Sequence, residues 1–192
     1  RLARSNVRIA GCIKGSGMIA PRMATMLGYI TTDAAITPAL LHAALADIAE
    51  TTFNSITVDG HTSTSDTVAV LASGLAAHEP IRARGRLFDA FAAALAEVCY
   101  SLAEQVVRDG EGATKLVRVT VTGAASEADA KKAARAIAES PLVKCALHGG
   151  DPNWGRFTSA AGYSGARCNA DKMKCAVGAV VIGIPVGWSA LA

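Results

Sequence analysis

Residues 7–34 read VRIAGCIKGSGMIAPRMATMLGYITTDA, and the rest of the chain is read outward from them. Small apolar runs alternate with glycine and proline breaks, the pattern of two strands joined by a Gly-rich turn. Within this stretch Thr25 follows Ala24, and the glycines at 15 and 17 allow sharp bends on the approach to that bond. A hydroxyl so placed can attack the carbonyl carbon just before it. If the Ala24–Thr25 bond breaks, Thr25 becomes a new N-terminus. Its α-amine, with an ordinary pKa of about 7.7–8.0, is then a base within reach of its own hydroxyl. On composition alone a threonine in a strand is only a β-former, so the surrounding motif has to carry the chemistry.

The 192 residues are 51% hydrophobic and 18% charged, enough to bury one sizeable core, and this excludes a mainly disordered chain. Nineteen Lys and Arg against sixteen Asp and Glu leave a net charge of +3, and the basic residues are scattered. No nucleic-acid partner is expected from such a distribution. The apolar runs fall short of the roughly 20 residues that span a bilayer, and residues 1–9 carry three arginines with no apolar h-region. Neither a membrane span nor a signal peptide is expected, and the expected location is cytoplasmic. Cys12, Cys99, Cys145, Cys168 and Cys175 lack any C-x-x-C spacing and read as reduced, buried thiols. His42, His61, His78 and His148 show no metal-binding spacing, so no metal site is expected.

Beyond the opening stretch, Thr37 can cap a helix with Pro38 at its first position, and Leu40, Leu41, Ala44, Leu45, Ile48 and Ala49 form one apolar face. Residues 55–60, SITVDG, are β-branched and end in Asp-Gly. The run 61–74, HTSTSDTVAVLASG, begins as a hydroxyl-rich loop and continues as a buried helix or strand. Residues 79–86 read as a charged linker and 87–107 as a long helix. KLVRVTVTG, 115–123, alternates as a half-buried strand, and Ser126 caps a helix over 127–139. FTSAAGYSGA, 157–166, has a helical composition, and 175–187 reads as a buried strand. The order predicts a mixed α/β domain of layered helices and sheet with no obvious second domain.

Four segments carry a family resemblance: KGSGMIAPRMATMLGYITTDA at 14–34, TSDTVAVLASG at 64–74, DGEGATKLVRVTVTGAAS at 109–126 and SPLVKCALHGGDPNWGRFTSAAGYSGA at 140–166. In composition and order they resemble the ornithine acetyltransferase family, also called glutamate N-acetyltransferase, over roughly residues 8–166. The resemblance implies a self-processing fold of the N-terminal-threonine-nucleophile type. The precursor would cut itself between Ala24 and Thr25, leaving 1–24 as the end of an α chain and 25–192 as a β-chain domain that stay together as a heterodimer able to assemble further. Thr25 maps to the nucleophile, Lys14 of K-G-S-G-M to the substrate-binding lysine, and Glu111 of G-E-G-A-T-K to the substrate-binding glutamate. Without the family context, Lys14 is a solvated strand-end lysine and Glu111 a helix-terminus acid.

The implied reaction moves acetyl from N-acetylornithine to glutamate in arginine biosynthesis, through an acetyl-threonine and with no metal or organic cofactor. The residues leave open acetyl-CoA as a further donor. KGSG is not a phosphate loop, because there the lysine follows the second glycine. DPNWGR, 151–156, reads as a turn with Asp151 able to pair with Arg156, or as a substrate-channel wall. The cluster Asp59, Ser63, Thr64, Ser65 and Asp66 reads as capping and loop hydrogen bonds. The family pattern often has Asp at position 61 and Asn at 65, where this chain has His61 and Ser65.

Relative to the family, this sequence lacks the upstream Thr-Gly pair of the oxyanion hole and the Asn and Ser or Thr that close the pocket at the C-terminus. Donors of that kind are worth about 10²–10³ in rate each. Two rival readings therefore stand beside the acetyltransferase. One is an amidohydrolase or aminopeptidase of the same fold, in which water resolves the acyl-threonine. The other is an inactive or complementation-dependent fragment.

Overall fold

A computed structural model describes residues 7–20, 26–178, 180–181 and 190–191. The chain divides into two compact units where the sequence signals no boundary: one runs up to Ile56 and resumes over His61–Glu111, and the other comprises Thr57–Gly60 and the chain from Gly112 onward. The second break falls in the D-G-E-G turn, whose composition resembles any other loop in the chain.

The first unit is built on a three-stranded sheet, β1 (Ile9–Lys14), β2 (Leu27–Thr32) and β3 (Thr67–Ala72), in the order β1-β2-β3. β1 and β2 are antiparallel, with Ile9 opposite Thr32 and Lys14 opposite Leu27. β2 and β3 are parallel, with Leu27 beside Thr67 and Thr32 beside Ala72. The sheet is mixed, as expected. The run after the hydroxyl-rich loop is thus a strand, and 55–60 is not: a short 3₁₀ turn at Phe53–Ser55 leads into irregular chain.

Side chains alternate across the sheet, so Ile9, Gly11 and Ile13 share a face with Gly28 and Ile30. That face receives α2 (Arg86–Arg108), which buries Phe88, Phe91, Leu95, Cys99, Leu102 and Val106 at spacings of three and four. A Cβ on Gly11 would lie 2.8 Å from Leu102 Cδ1, so glycine lets helix and strand approach. The opposite face leaves Cys12, Lys14, Tyr29, Thr31 and Leu71 exposed. By length and hydropathy α2 could cross a membrane, although no apolar run in the sequence suggests it. Asp89, Glu97, Glu104 and Arg108 interrupt it, and its apolar stripe is occupied by β1 and by α1, which marks a core helix.

α1 (Pro38–Ala49) starts as predicted, with proline in its first turn, and buries Leu41, Ala44 and Ile48. Thr37 contributes its carbonyl to Leu41 N–H at 3.0 Å, while its side chain makes no capping bond. The charged linker is more ordered than its composition suggests. Ile81 is buried and bridges to Ile36, its amide donates to Ala35 O at 2.8 Å, and its carbonyl accepts from Thr37 N at 3.1 Å. His78 joins the same stitch. Nε2 accepts from Ala35 N at 3.0 Å, which leaves Nδ1 to donate to Glu79 O at 2.7 Å and selects one neutral tautomer.

The second unit contains α3 (Glu127–Glu139), α4 (Pro141–Gly149) and α5 (Trp154–Tyr163). Ser126 caps α3 as its position predicts, accepting from Asp129 N at 3.1 Å. Asp129 is itself buried. The Ser126 hydroxyl that donates to it, aided by Arg167, holds its carboxyl below the usual range against the cost of burial. α4 has no counterpart in the sequence reading. Ser140 caps it, Pro141 opens it and Gly150 ends it at φ 71°. Val121, Ala133, Ala134 and Ala166 form a core of small residues.

Four expectations need correction. The alternating run 115–123 forms only the two-residue β4 (Arg118–Val119), paired with β7 (Ala190–Leu191), because alternation supplies a face and a ladder also needs a partner. Residues 175–187 do not begin as one strand. β5 (Ala176–Val177) folds back on β6 (Val180–Val181) through Gly178 at φ 63°, and 182–187 lie outside the described residues. Arg156 donates to Leu142 O at 2.9 Å, while Asn153 takes the Asp151 carboxylate at 3.1 Å. Only Cys99 is a fully buried thiol; Cys175 is half-buried, and Cys12, Cys145 and Cys168 are exposed.

Burial pushes the Cys99 thiol up from 9.0 to about 11. The folded state therefore retains a proton that the unfolded chain releases over that interval, and stability falls as pH rises from 9.0 to about 11. Urea unfolding across this interval should show that decline shrinking in Cys99→Ala, one pKa unit being about 1.4 kcal/mol. In the same folded protein, alkylation followed by peptide mass mapping should label Cys12, Cys145 and Cys168 well before Cys99.

Candidate active site

Both charged residues singled out from the sequence lie in the first unit. Lys14 is the last residue of β1, exposed, and opposite Leu27 in the register. The chain then turns through Gly15, Ser16 and Gly17 to Met18, a non-glycine residue held at φ 58°. Left-handed backbone costs such a side chain about 1–2 kcal/mol, so surrounding structure has to hold the turn in shape. Part of that hold comes from Glu111. Its amide donates to Ser16 O at 2.7 Å, and its carboxylate lies over Gly17, where a Cβ would meet Oε2 at 2.7 Å.

Helix α2 makes this contact possible. It packs along β1 and ends at Arg108, and two further residues deliver Glu111 to the turn that follows Lys14. The structure thus brings together the Lys14 turn and Glu111, which sequence distance alone leaves unrelated. Among the described residues, neither Lys14 nor Glu111 forms a salt bridge. An exposed lysine thus heads the turn on which a carboxylate from the end of α2 is docked, and opposite charges lie at one end of the sheet.

Ala24 and Thr25 lie outside the described residues. The flanking chain is anchored on both sides: Ile19 and Ala20 are buried, and so is Met26, the residue bonded to Thr25. Met26 N–H donates to Asp66 Oδ1 at 2.6 Å, and Met26 O accepts from Thr67 N at 2.9 Å. Burial raises the Asp66 carboxyl above its usual range, and the bond from Met26 opposes that rise. The sequence reading gave Asp66 a loop hydrogen bond; its partner could not be read, because a strand pairing brings the two together. No cluster of three or more His, Cys, Asp or Glu capable of holding a metal occurs among the described residues.

The sequence profile of the ArgJ family matches residues 1–185. The chain belongs to the ArgJ family. It is 51% identical over 176 residues to the arginine biosynthesis bifunctional protein ArgJ of Geobacillus kaustophilus, covering 92% of this chain and 43% of that one. The namesake from Symbiobacterium thermophilum is 55% identical over 163 residues, covering 85% and 40%. The chain thus spans about two fifths of the length of these ArgJ relatives. The crystal structure of the argJ protein from Bacillus halodurans superposes with a TM-score of 0.80 at 48% identity, covering 86% of this chain and 79% of that one. The mixed α/β architecture is therefore the ArgJ fold over the shared region.

Gly17 lies outside the left-handed backbone region, and among the described residues the nearest group a Cβ would meet is the far end of the flexible Glu111 side chain. Gly17→Ala should therefore displace the Glu111 carboxylate while lowering the melting temperature by no more than about 3 °C. A crystal structure of the variant, read with its thermal melt, checks both parts.

Proposed function

We propose that the full gene product containing this chain is an acetyltransferase of arginine biosynthesis that cuts itself at Ala24–Thr25 and works through Thr25. Residues 1–24 then end an α chain and 25–192 belong to a β chain, the two remaining together in the cytoplasm. The observation that carries the reading is Glu111 seated on the turn after Lys14, at the sheet end where Met26 follows Thr25. The relatives' names, arginine biosynthesis bifunctional proteins, support a role in arginine biosynthesis.

In this reading the Thr25 hydroxyl oxygen attacks the acetyl carbonyl of N-acetylornithine and passes its proton to the Thr25 α-amine. The acetyl C–N bond then breaks, ornithine leaves as the amine carrying that proton, and the acetyl remains as an ester on Thr25. Glutamate enters next. Its amine attacks the ester carbonyl, the bond to the threonine oxygen breaks, and the hydroxyl regains a proton. Lys14 holds a substrate carboxylate, and Glu111 holds the ammonium at the other end. Orientation of the acceptor beside the ester favours transfer over hydrolysis by several kcal/mol.

The donor without acceptor should leave a labelled acetyl on Thr25, mapped by peptide mass, and the two substrates together should give parallel double-reciprocal lines. Thr25→Ala should abolish splitting at Ala24–Thr25, whereas Thr25→Ser, which keeps the attacking oxygen, should still split. Intersecting lines with no label on Thr25 overturn the covalent route, and acetate as the main product with glutamate present shows an amidohydrolase. Lys14→Ala and Glu111→Ala should each raise KM about tenfold or more, with a smaller change in kcat, since both hold charged ends of the substrate away from the reacting carbonyl.

A further inference from the structure

Asp66 stands in a loop that leads into a strand, so there is no helix N-terminus for it to cap. Its carboxylate is instead committed across the fold to Met26 N–H at 2.6 Å, at the short end of charge-assisted bonds. The next residue, Thr67, donates its own amide to Met26 O at 2.9 Å. Consecutive residues thus hold both backbone polar groups of Met26, whose side chain is 2% exposed. The amide nitrogen that Asp66 holds is bonded directly to the carbonyl carbon of Thr25. A group fixed at that nitrogen restricts where the carbonyl, α-carbon and hydroxyl of Thr25 can go.

We propose that Asp66 is a positioning residue for Thr25: by accepting the Met26 amide it sets the geometry of the peptide bonded to the nucleophile, both for self-cleavage and for acetyl transfer. Burial of the carboxylate agrees with this. A half-buried acid is costly unless its oxygens are used, and one of them is used here. Displacement of reacting groups by about 1 Å can cost about 10²-fold in rate, so loss of one such tether is enough to matter. The inference rests on Thr25 being the nucleophile.

The test uses the full gene product, with the time course of splitting at Ala24–Thr25 followed by intact mass and with steady-state kinetics on the processed enzyme. Asp66→Asn keeps an acceptor oxygen in place and removes the charge, whereas Asp66→Glu keeps the charge and moves the oxygens by one methylene. Positioning predicts that Asp66→Asn splits within about threefold of the parent, while Asp66→Glu and Asp66→Ala are slowed about tenfold or more, with kcat falling and KM little changed. Equal rates in all four proteins, or Asp66→Glu outperforming Asp66→Asn, overturn the proposal. If Asp66→Ala does not fold, the comparison of Asn with Glu still decides. A parent that never splits at Ala24–Thr25 refutes the reading of Thr25 itself, whereas a parent that splits as fast as every Asp66 variant refutes only the role of Asp66.

Discussion

The central place of β2 in its sheet is the constraint on which the rest of the first unit depends. Both of its edges are paired, antiparallel to β1 and parallel to β3. Those two senses have a geometric consequence: the last residue of β1 and the first residues of β2 and β3 meet at one end. Lys14, Leu27 and Thr67 are therefore neighbours across the ladder although they are far apart in sequence. Reversing either pairing would send one of the three to the far edge, about 17 Å away for strands of six residues.

Helix α2 completes that end. Its ridge of Phe88, Phe91, Leu95 and Leu102 lies on the sheet face from which Gly11 removes a side chain, so the close approach at Leu102 needs a residue without Cβ. The helix then runs out at Arg108 beside the turn that follows Lys14. Gly17 repeats the device on a smaller scale, since the space that a Cβ would fill is occupied by the Glu111 carboxylate. Each glycine serves a different purpose: one admits a core helix, the other admits the Glu111 carboxylate.

The hydrogen bonds at this end are backbone bonds or charge-assisted ones, and they tie down irregular chain. Glu111 N–H holds Ser16 O, and Asp66 and Thr67 hold Met26. Irregular backbone leaves donors and acceptors without a ladder, and each must find a partner or lose about 1–3 kcal/mol. Met18 in left-handed geometry adds to that cost and is borne by the same set of contacts. Strain and unusual pairing thus gather at the end of the sheet where β1 stops and β2 and β3 begin.

Local signals in the sequence determined the elements that depend on local physics. Proline after Thr37 opens α1, Ser126 caps α3, apolar spacing marks α2, and the glycine breaks of residues 7–34 separate β1 from β2. Lys14, Thr25 and Glu111 were singled out as candidates through motifs whose residues stand close together in the chain. Tertiary structure decided what depends on a partner. Residues 67–72 became a strand because β2 was available to pair with them, whereas the stronger alternation of 115–123 yielded two ladder residues. The docking of Glu111 on the Lys14 turn and the bond from Met26 to Asp66 could not be read in advance. Each joins residues far apart in sequence, and only the pairing of strands and the packing of α2 set the distance between them.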